Sequence, residues 1–258
     1  MKLLNVKRLL LLTTIILGSS LLQAQEKKMY QMYEVHEDQV KPSMVAQYEK
    51  TAKMFADKMR EHNITDGGYL TVMTDDFRYM FVNPIDSLGQ AAPGMQELWE
   101  KMGADAFGEM MTGFDPCYDR HGNYVIVMDK ELTYMPEGIS QNPEGENYRK
   151  FYYIYYSPQN STAVRDAMKD IKDLFAKKGS KSYYRVYRSG YGTMDSYYMV
   201  AVAAKDAMTA AQNAAENDKL LGQEAEPIFS KLMNVTLKME EKSGSVRPDL
   251  SYTASNNN

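Results

Sequence analysis

Cysteine is nearly absent from this sequence of 258 residues, in which Cys117 is the single example. One cysteine cannot form a disulfide bond within the chain, so the small secreted folds that disulfides hold together are excluded. Stability must therefore come from an ordinary hydrophobic core. The chain is long enough for one large domain or for two domains of about 100 residues each.

Histidine is also scarce, and the three examples are His36, His62 and His121. None of them stands in a spacing typical of a metal site, such as His-x-His or His-Glu-x-x-His. A phosphate-binding loop, a dinucleotide fingerprint and a Gly-x-Ser-x-Gly motif are absent as well. The sequence therefore predicts neither a metal site nor a cofactor.

Positive charge is in short supply, with 30 basic residues against 34 acidic ones and a formal net charge of −4. Residues 1–24 hold three of the basic residues and none of the acidic ones, so the charge without them is −7. Affinity for nucleic acid comes mainly from clustered Lys and Arg. We therefore predict no nucleic-acid partner.

Long apolar runs are limited to residues 9–22, which follow the basic residues Lys2, Lys7 and Arg8. The run has 14 residues, whereas a membrane-spanning helix needs about 20. It ends in a polar segment after the small residue Ala24, the usual layout of a signal peptide and its cleavage site. We expect residues 1–24 to be removed, leaving a periplasmic or secreted protein without a membrane association.

The remainder shows two units with the same order of elements. In residues 29–136, alternating and helical patterns give the order β-α-β-β-α-β, with a kink or a break expected in the second helix at Gly103 and Gly108. Residues 137–147 have the composition of a linker, and residues 148–243 repeat the order. Tyr33 matches Tyr153 at an offset of 120 residues. A disordered tail is expected for residues 244–258.

The strands are apolar on both faces, which decides how the units pack. Residues 151–156, for example, read Phe-Tyr-Tyr-Ile-Tyr-Tyr. A sheet with one face in water would alternate apolar with polar residues. The sequence therefore predicts an α+β fold in which two tandem ferredoxin-like βαββαβ repeats pack sheet to sheet, as a barrel-like pseudo-dimer within one chain.

A resemblance rests on the first strand and the turn that follows it. The strand ends in Glu34-Val35-His36 and is followed by Val40-Lys41-Pro42-Ser43 and an amphipathic helix. This opening resembles the dimeric α/β-barrel superfamily, especially its NIPSNAP-like and antibiotic-biosynthesis-monooxygenase-like groups. The resemblance covers both units and implies a cavity between paired sheets. The superfamily includes cofactor-independent oxygenases, haem-handling enzymes and proteins without a known activity.

Candidate site residues follow from strand alternation, which places Glu34 and His36 on one face of the first strand. If that face is opposite the helices, the two point into the cavity together with Tyr153, Arg185 and Tyr187. Such a set could bind or ionise a small organic ligand. Alternatively, Glu34 and His36 lie at a solvated strand end. Residues 94–122, which contain Trp99 and Cys117, could form a lid or an ordinary helix with its loop.

Three functions are compatible with these patterns. The first is an exported protein that binds a small organic ligand in a Tyr-rich cavity between the repeats. The second is an oxygenase-like or lyase-like enzyme on the same scaffold, and the third is a structural envelope protein with a filled core. Neither catalytic activity nor the oligomeric state follows from the sequence.

Overall fold

The structure, a computed structural model, describes residues 29–89 and 94–254. The predicted signal peptide, residues 1–24, lies outside these ranges. Among the helices that are described, none is both long enough and apolar enough to cross a membrane.

Strands and helices alternate in the same order in the two halves of the described chain. The strands are β1 (Tyr30–Val40), β2 (Gly68–Thr74), β3 (Arg78–Ile85), β4 (Tyr118–Asp129), β5 (Tyr148–Tyr155), β6 (Tyr184–Ser189), β7 (Tyr197–Ala204), β8 (Lys238–Val246) and the short β9 (Tyr252–Thr253). The helices are α1 (Val45–Glu61), α2 (Met95–Met102), α3 (Ala104–Thr112), α4 (Ser161–Lys178), α5 (Ala207–Leu221) and α6 (Ala225–Val235). The predicted α+β class is confirmed.

The first eight strands form a closed antiparallel barrel. The order is β4-β1-β3-β2 in the first half and β8-β5-β7-β6 in the second. Two seams close the barrel, since β4 pairs with β6 and β2 pairs with β8. Closure leaves no exposed edge among these eight strands.

The barrel interior is packed with apolar and aromatic side chains. One hydrophobic cluster draws members from all eight strands, including Tyr33 and Val35 of β1, Phe151 of β5 and Met199 of β7. Two further clusters lie outside the barrel, one under α1 to α3 and the other under α4 to α6. Strands that are apolar on both faces, such as β5, follow from this arrangement, because such a strand is covered on both sides.

Helix α1 forms where the sequence places apolar residues three and four positions apart. Pro42 opens a short 3₁₀ turn before the helix, and proline suits a first helical turn because it lacks an N–H. Tyr48, Ala52, Phe55 and Met59 are buried along one face. This helix therefore covers the outer face of the sheet in the first half.

Helices α2 and α3 replace the one helix expected between residues 94 and 111. The break falls at Gly103, whose φ of 82° lies in the region that favours glycine. Gly94, with φ of 79°, precedes α2, and a Cβ there would lie 2.5 Å from the carbonyl oxygen of Asp66. The predicted interruption is confirmed at Gly103 but not at Gly108, which lies inside α3. The two short helices lie over the same sheet face as α1.

Residues 244–254 are ordered, although a disordered tail was expected for residues 244–258; residues 255–258 lie outside the described residues. Residues 244–246 complete β8, and β9 pairs with β2. Leu250 and Tyr252 are buried in the cluster under α1. These two apolar residues supply the burial that orders the segment, although the residues around them are mostly polar.

Candidate functional site

Two cavities lie on opposite faces of the first-half sheet. The larger, of about 270 Å³, lies outside the barrel between the sheet and α1 to α3; we call it the outer pocket. The smaller, of about 60 Å³, lies inside the barrel. A water molecule occupies about 30 Å³ of liquid, so the interior space is too small for an organic ligand.

One wall of the outer pocket is polar, and the register of three neighbouring strands builds it. Side chains two residues apart share a face of a strand, so Glu34, His36 and Asp38 lie on the same face of β1. Asn83 of β3 lies opposite Glu34. On β4, Asn123 lies opposite His36 and His121 lies opposite Asp38. The polar wall consists of Glu34, His36, Asp38, Asn83, His121 and Asn123.

The remaining walls of the outer pocket are aromatic and apolar, supplied by α1 to α3 and by neighbouring strands. Sulfur-containing and aromatic side chains dominate, and such side chains pack well against flat apolar molecules. The apolar walls consist of Phe55, Met59, Tyr69, Phe81, Met95, Met111, Phe114 and Tyr118. The pocket therefore combines an apolar body with one polar side.

His36 is held between two partners on the polar wall. Its Nδ1 lies 2.9 Å from Asn123 Oδ1, and its Nε2 lies 3.1 Å from Asp38 Oδ1. Burial alone would lower the pKa of His36, but the hydrogen bond and negative charge of Asp38, with smaller contributions from Asn123 and Glu34, raise the pKa above its ordinary value. The imidazole is therefore fixed and biased toward positive charge.

Asp38 is buried, with 3% of its surface exposed. The Tyr48 hydroxyl donates a 2.6 Å hydrogen bond to Asp38 Oδ2. This bond also raises the pKa of Tyr48, together with the larger effect of burial. Tyr48 thus orients the Asp38 carboxylate, and the other carboxylate oxygen, Oδ1, lies beside His36 on the polar wall.

His121 lies on the exposed side of the same wall. Its ring stacks on Tyr118 with centroids 5.2 Å apart, and it stands nearly perpendicular to the ring of His36 at 5.7 Å. Strand β4 begins at Tyr118 and places His121 opposite Asp38. His36, Asp38 and His121 each offer one atom suited to a metal, and these atoms lie within 4.8 Å of one another.

The predicted site residues are divided between the two cavities. Glu34 and His36 line the outer pocket, whereas Tyr153, Arg185 and Tyr187 line the small interior space. The single pocket containing all five is therefore not formed. The reason is that the large apolar neighbours on β1 take the inward face and turn Glu34 and His36 toward the helices.

Arg185 has a structural partner inside the barrel, in the segment expected to be a linker. Its Nη1 donates hydrogen bonds of 2.7 Å to the carbonyl oxygens of Ser140 and Gln141. Arg149, also buried, donates to Gln141 and Asn142. Burial and the neighbouring charge of Arg185 lower the pKa of Arg149 to about 10. The linker is therefore fixed against the barrel interior by two guanidinium groups.

Comparisons with known proteins identify the fold. A proposed monooxygenase from Fusobacterium nucleatum subsp. nucleatum ATCC 25586 gives a TM-score of 0.55 at 10% identity, covering 85% of this chain and 93% of that one. An anthrone oxidase-like protein gives 0.54 at 13% identity, covering 89% and 95%. A variant of the chlorite dismutase from Candidatus Nitrospira defluvii gives 0.50 at 12% identity, covering 85% and 92%.

The predicted resemblance to the dimeric α/β-barrel superfamily is confirmed as a likeness of fold. No protein-family model matches the chain, and no curated protein matches it significantly. At sequence identities of 10 to 13%, structural similarity supports a shared fold but does not imply a shared chemical activity. The function must be argued from the side chains of this chain.

Haem, which some members of this superfamily handle, does not fit the outer pocket. The cavity of about 270 Å³ is below the roughly 300 to 1,000 Å³ of sites for drug-sized ligands, and a porphyrin is a large ligand.

Proposed function

We propose that the protein binds a small organic molecule in the outer pocket, with a flat apolar body and one group that donates hydrogen bonds or carries a positive charge. The observation that carries the proposal is the meeting of apolar walls and one polar wall across a single cavity. Ligand sites usually combine a mostly apolar lining with a few placed polar groups. The cavity size favours a compact molecule of one to three rings.

The charges of the polar wall determine which end of the ligand lies against it. Glu34 and Asp38 contribute carboxylates, and Asn83 and Asn123 contribute amide groups. The wall therefore presents two carboxylates beside His36, and the carboxylate and amide oxygens accept hydrogen bonds. An anionic ligand would be repelled by Glu34, whereas a protonated amine or a phenol would be accepted.

Fluorescence titration with proflavine, a planar aromatic cation, tests this proposal. We expect saturable binding to the protein and at least about tenfold weaker binding to Met111→Trp, because the indole occupies the cavity. Met208→Trp is the matched control, since Met208 on α5 is 72% exposed, and it should bind like the unaltered protein. Equal binding to both variants, or a preference for the anionic dye 1-anilinonaphthalene-8-sulfonate, would contradict the proposal.

An oxygenase-like enzyme on this scaffold is the second candidate. It is favoured by the imidazole of His36 lying within hydrogen-bonding distance of a buried carboxylate at the pocket wall. Oxygen uptake measured with a panel of hydroquinones and anthrones distinguishes it from a binding protein. Uptake that His36→Ala leaves unchanged would count against this candidate.

We also propose that residues 29–136 and 148–243 are tandem units that face each other through the barrel. The support is the identical strand order of the two halves and the two seams that join them. The interior is filled apart from about 60 Å³, which argues against the predicted ligand cavity between the units. The ligand site belongs to the outer face of the first unit.

Export from the cytoplasm stays a prediction that rests on residues 1–24. In cells that make the full chain, we expect the mature protein in the periplasmic or extracellular fraction, with Gln25 as its first residue. N-terminal sequencing of the fractionated protein measures both. Replacing Leu12 and Ile15 together by Asp interrupts the apolar run and should retain the protein in the cytoplasm, whereas replacing Asn5 by Ser should not.

A further inference from the structure

Three side chains from two paired strands converge at the polar wall of the outer pocket. Asp38 of β1 lies directly opposite His121 of β4, and His36 is two residues before Asp38 on the same face. We propose that His36, Asp38 and His121 bind one divalent transition-metal ion of the Fe²⁺ or Zn²⁺ class. Their ligand atoms lie within 4.8 Å of one another, close enough for a single ion to contact all three after small side-chain shifts.

The buried carboxylate of Asp38 gives the first independent support. Asp38 Oδ2 accepts the hydrogen bond from Tyr48, whereas the buried Oδ1 has no partner other than His36 Nε2, 3.1 Å away, which can donate to it only when the imidazole is protonated there. A buried acceptor without a hydrogen-bond donor costs about 1 to 3 kcal/mol, and more when it is charged. A cation bound between Asp38 Oδ1 and His36 Nε2, which lie 3.1 Å apart, removes this cost.

The hydrogen bonding of His36 gives the second support. Asn123 Oδ1 can only accept, so His36 Nδ1 carries the proton of that hydrogen bond. In a neutral imidazole this leaves the lone pair of Nε2 facing Asp38 Oδ1. Two acceptors that face each other need a positive charge between them, either a proton or a metal ion. A ligating histidine commonly donates its other ring N–H to an oxygen in this way.

His121 favours the metal over the proton, because it adds a second imidazole to the same point. A proton shared by His36 and Asp38 needs no third group, whereas two histidines and one carboxylate form the ligand set typical of non-haem Fe²⁺ and of catalytic Zn²⁺ sites. The open side of the cluster is the outer pocket. A bound ion would therefore face whatever molecule enters it.

The metal site lies in the proposed ligand pocket but does not require an organic ligand, and the two can be tested separately. The full-length protein is treated with EDTA, desalted and titrated with Co²⁺ by visible absorption and with Zn²⁺ by calorimetry. We expect one ion per chain and a Co²⁺ spectrum of nitrogen and oxygen ligands. His121→Ala should weaken binding at least about 100-fold, and it should fold normally because His121 is exposed.

The matched control is His62→Ala, because His62 lies at the end of α1 and outside the pocket lining. This variant should bind both ions like the unaltered protein. Asp38→Asn should abolish binding, with circular dichroism confirming the fold. Absence of Co²⁺ and Zn²⁺ binding, or equal binding by His121→Ala, would overturn the metal site and leave the His36–Asp38 ion pair. Proflavine titration in EDTA then measures whether the outer pocket binds an organic cation without the metal.

Discussion

A chain that ends at Arg247 is expected to be largely unfolded under conditions in which the full-length protein is folded. The deletion removes Leu250, which is 1% exposed, and the buried Tyr252. Truncating a buried leucine costs about 2 to 5 kcal/mol and a large aromatic residue about 3 to 5 kcal/mol. Their combined loss is comparable to the entire stability of a typical domain, which is about 5 to 15 kcal/mol.

The deletion also removes the hydrogen-bond partners of α1 and β2. The Thr71 hydroxyl donates 2.8 Å to the Leu250 carbonyl, and Arg60 donates 2.6 Å to the Ser251 carbonyl. The Tyr252 hydroxyl donates to the carbonyl of Ile64. These contacts tie the segment to both elements that enclose the outer pocket, so proflavine binding should be lost together with the fold.

Urea unfolding followed by circular dichroism measures the effect. A chain that ends at Ala254 is the control and should match the full-length protein. A milder pair uses one substitution at two sites: Leu250→Ala should lower the free energy of unfolding by about 3 kcal/mol. Leu237→Ala, at a residue 67% exposed, should change it by less than about 0.5 kcal/mol. Equal midpoints for the chains ending at Arg247 and Ala254 would show that the segment adds nothing to the core.

Gly244→Ala is expected to open the seam between β2 and β8. A Cβ at this position would overlap the carbonyl oxygen of Met73 and would lie 3.1 Å from the Cα of Thr74. Both are backbone atoms of β2, so no side chain can move aside. Forcing extra atoms into a packed site costs about 1 to 3 kcal/mol and occasionally more. We expect about 3 kcal/mol, because the adjacent pairing of β2 with β8 must shift.

Gly122→Ala is the matched control, because Gly122 is also a strand glycine and nothing lies within 4 Å of a Cβ built there. Its free energy of unfolding should stay within about 0.5 kcal/mol of that of the unaltered protein. The β2–β8 pairing itself can be followed by amide hydrogen exchange of Val72 and Val246, which are paired across the seam. Similar stability of the two variants, with unchanged exchange, would show that the seam tolerates the added methyl group.

Much of the fold follows from local patterns that do not depend on distant residues. The three- and four-residue spacing from Tyr48 to Met59 predicts α1, and Gly103 predicts the break between α2 and α3. The apolar residues on both faces of residues 151–156 predict that each sheet is covered twice. These features are visible in the sequence because each depends on a few neighbouring residues.

The candidate site was harder to predict from the sequence than the fold, because it depends on contacts between distant residues. Alternation places Glu34 and His36 on one face of β1 but does not show which face is inward. The inward face could have been found from Tyr33 and Val35, whose larger apolar surfaces favour the barrel core. Asp38 and His121 meet only through the register of β1 with β4, and no local spacing connects them.

Arg185 shows a different limit of sequence reasoning. A charged residue in an aromatic strand was interpreted as a ligand-binding group. In the structure its partners are the backbone carbonyls of a segment about 45 residues earlier. Carbonyl groups are present at every position and leave no signature in the sequence, so this role could not have been predicted.

The pairing of β2 with β8 and β9 constrains how the newly made chain can fold. Thr71 and Leu250 are 179 positions apart, yet they share a buried hydrogen bond. Until β8 and β9 have been synthesised, β2 pairs only with β3, and the helical layer around α1 lacks the packing of Leu250 and Tyr252. Contacts between such distant positions slow folding. The first half, although synthesised early, is therefore expected to mature only after residues 238–253 have been synthesised, which leaves the nascent polypeptide dependent on protection from aggregation until then.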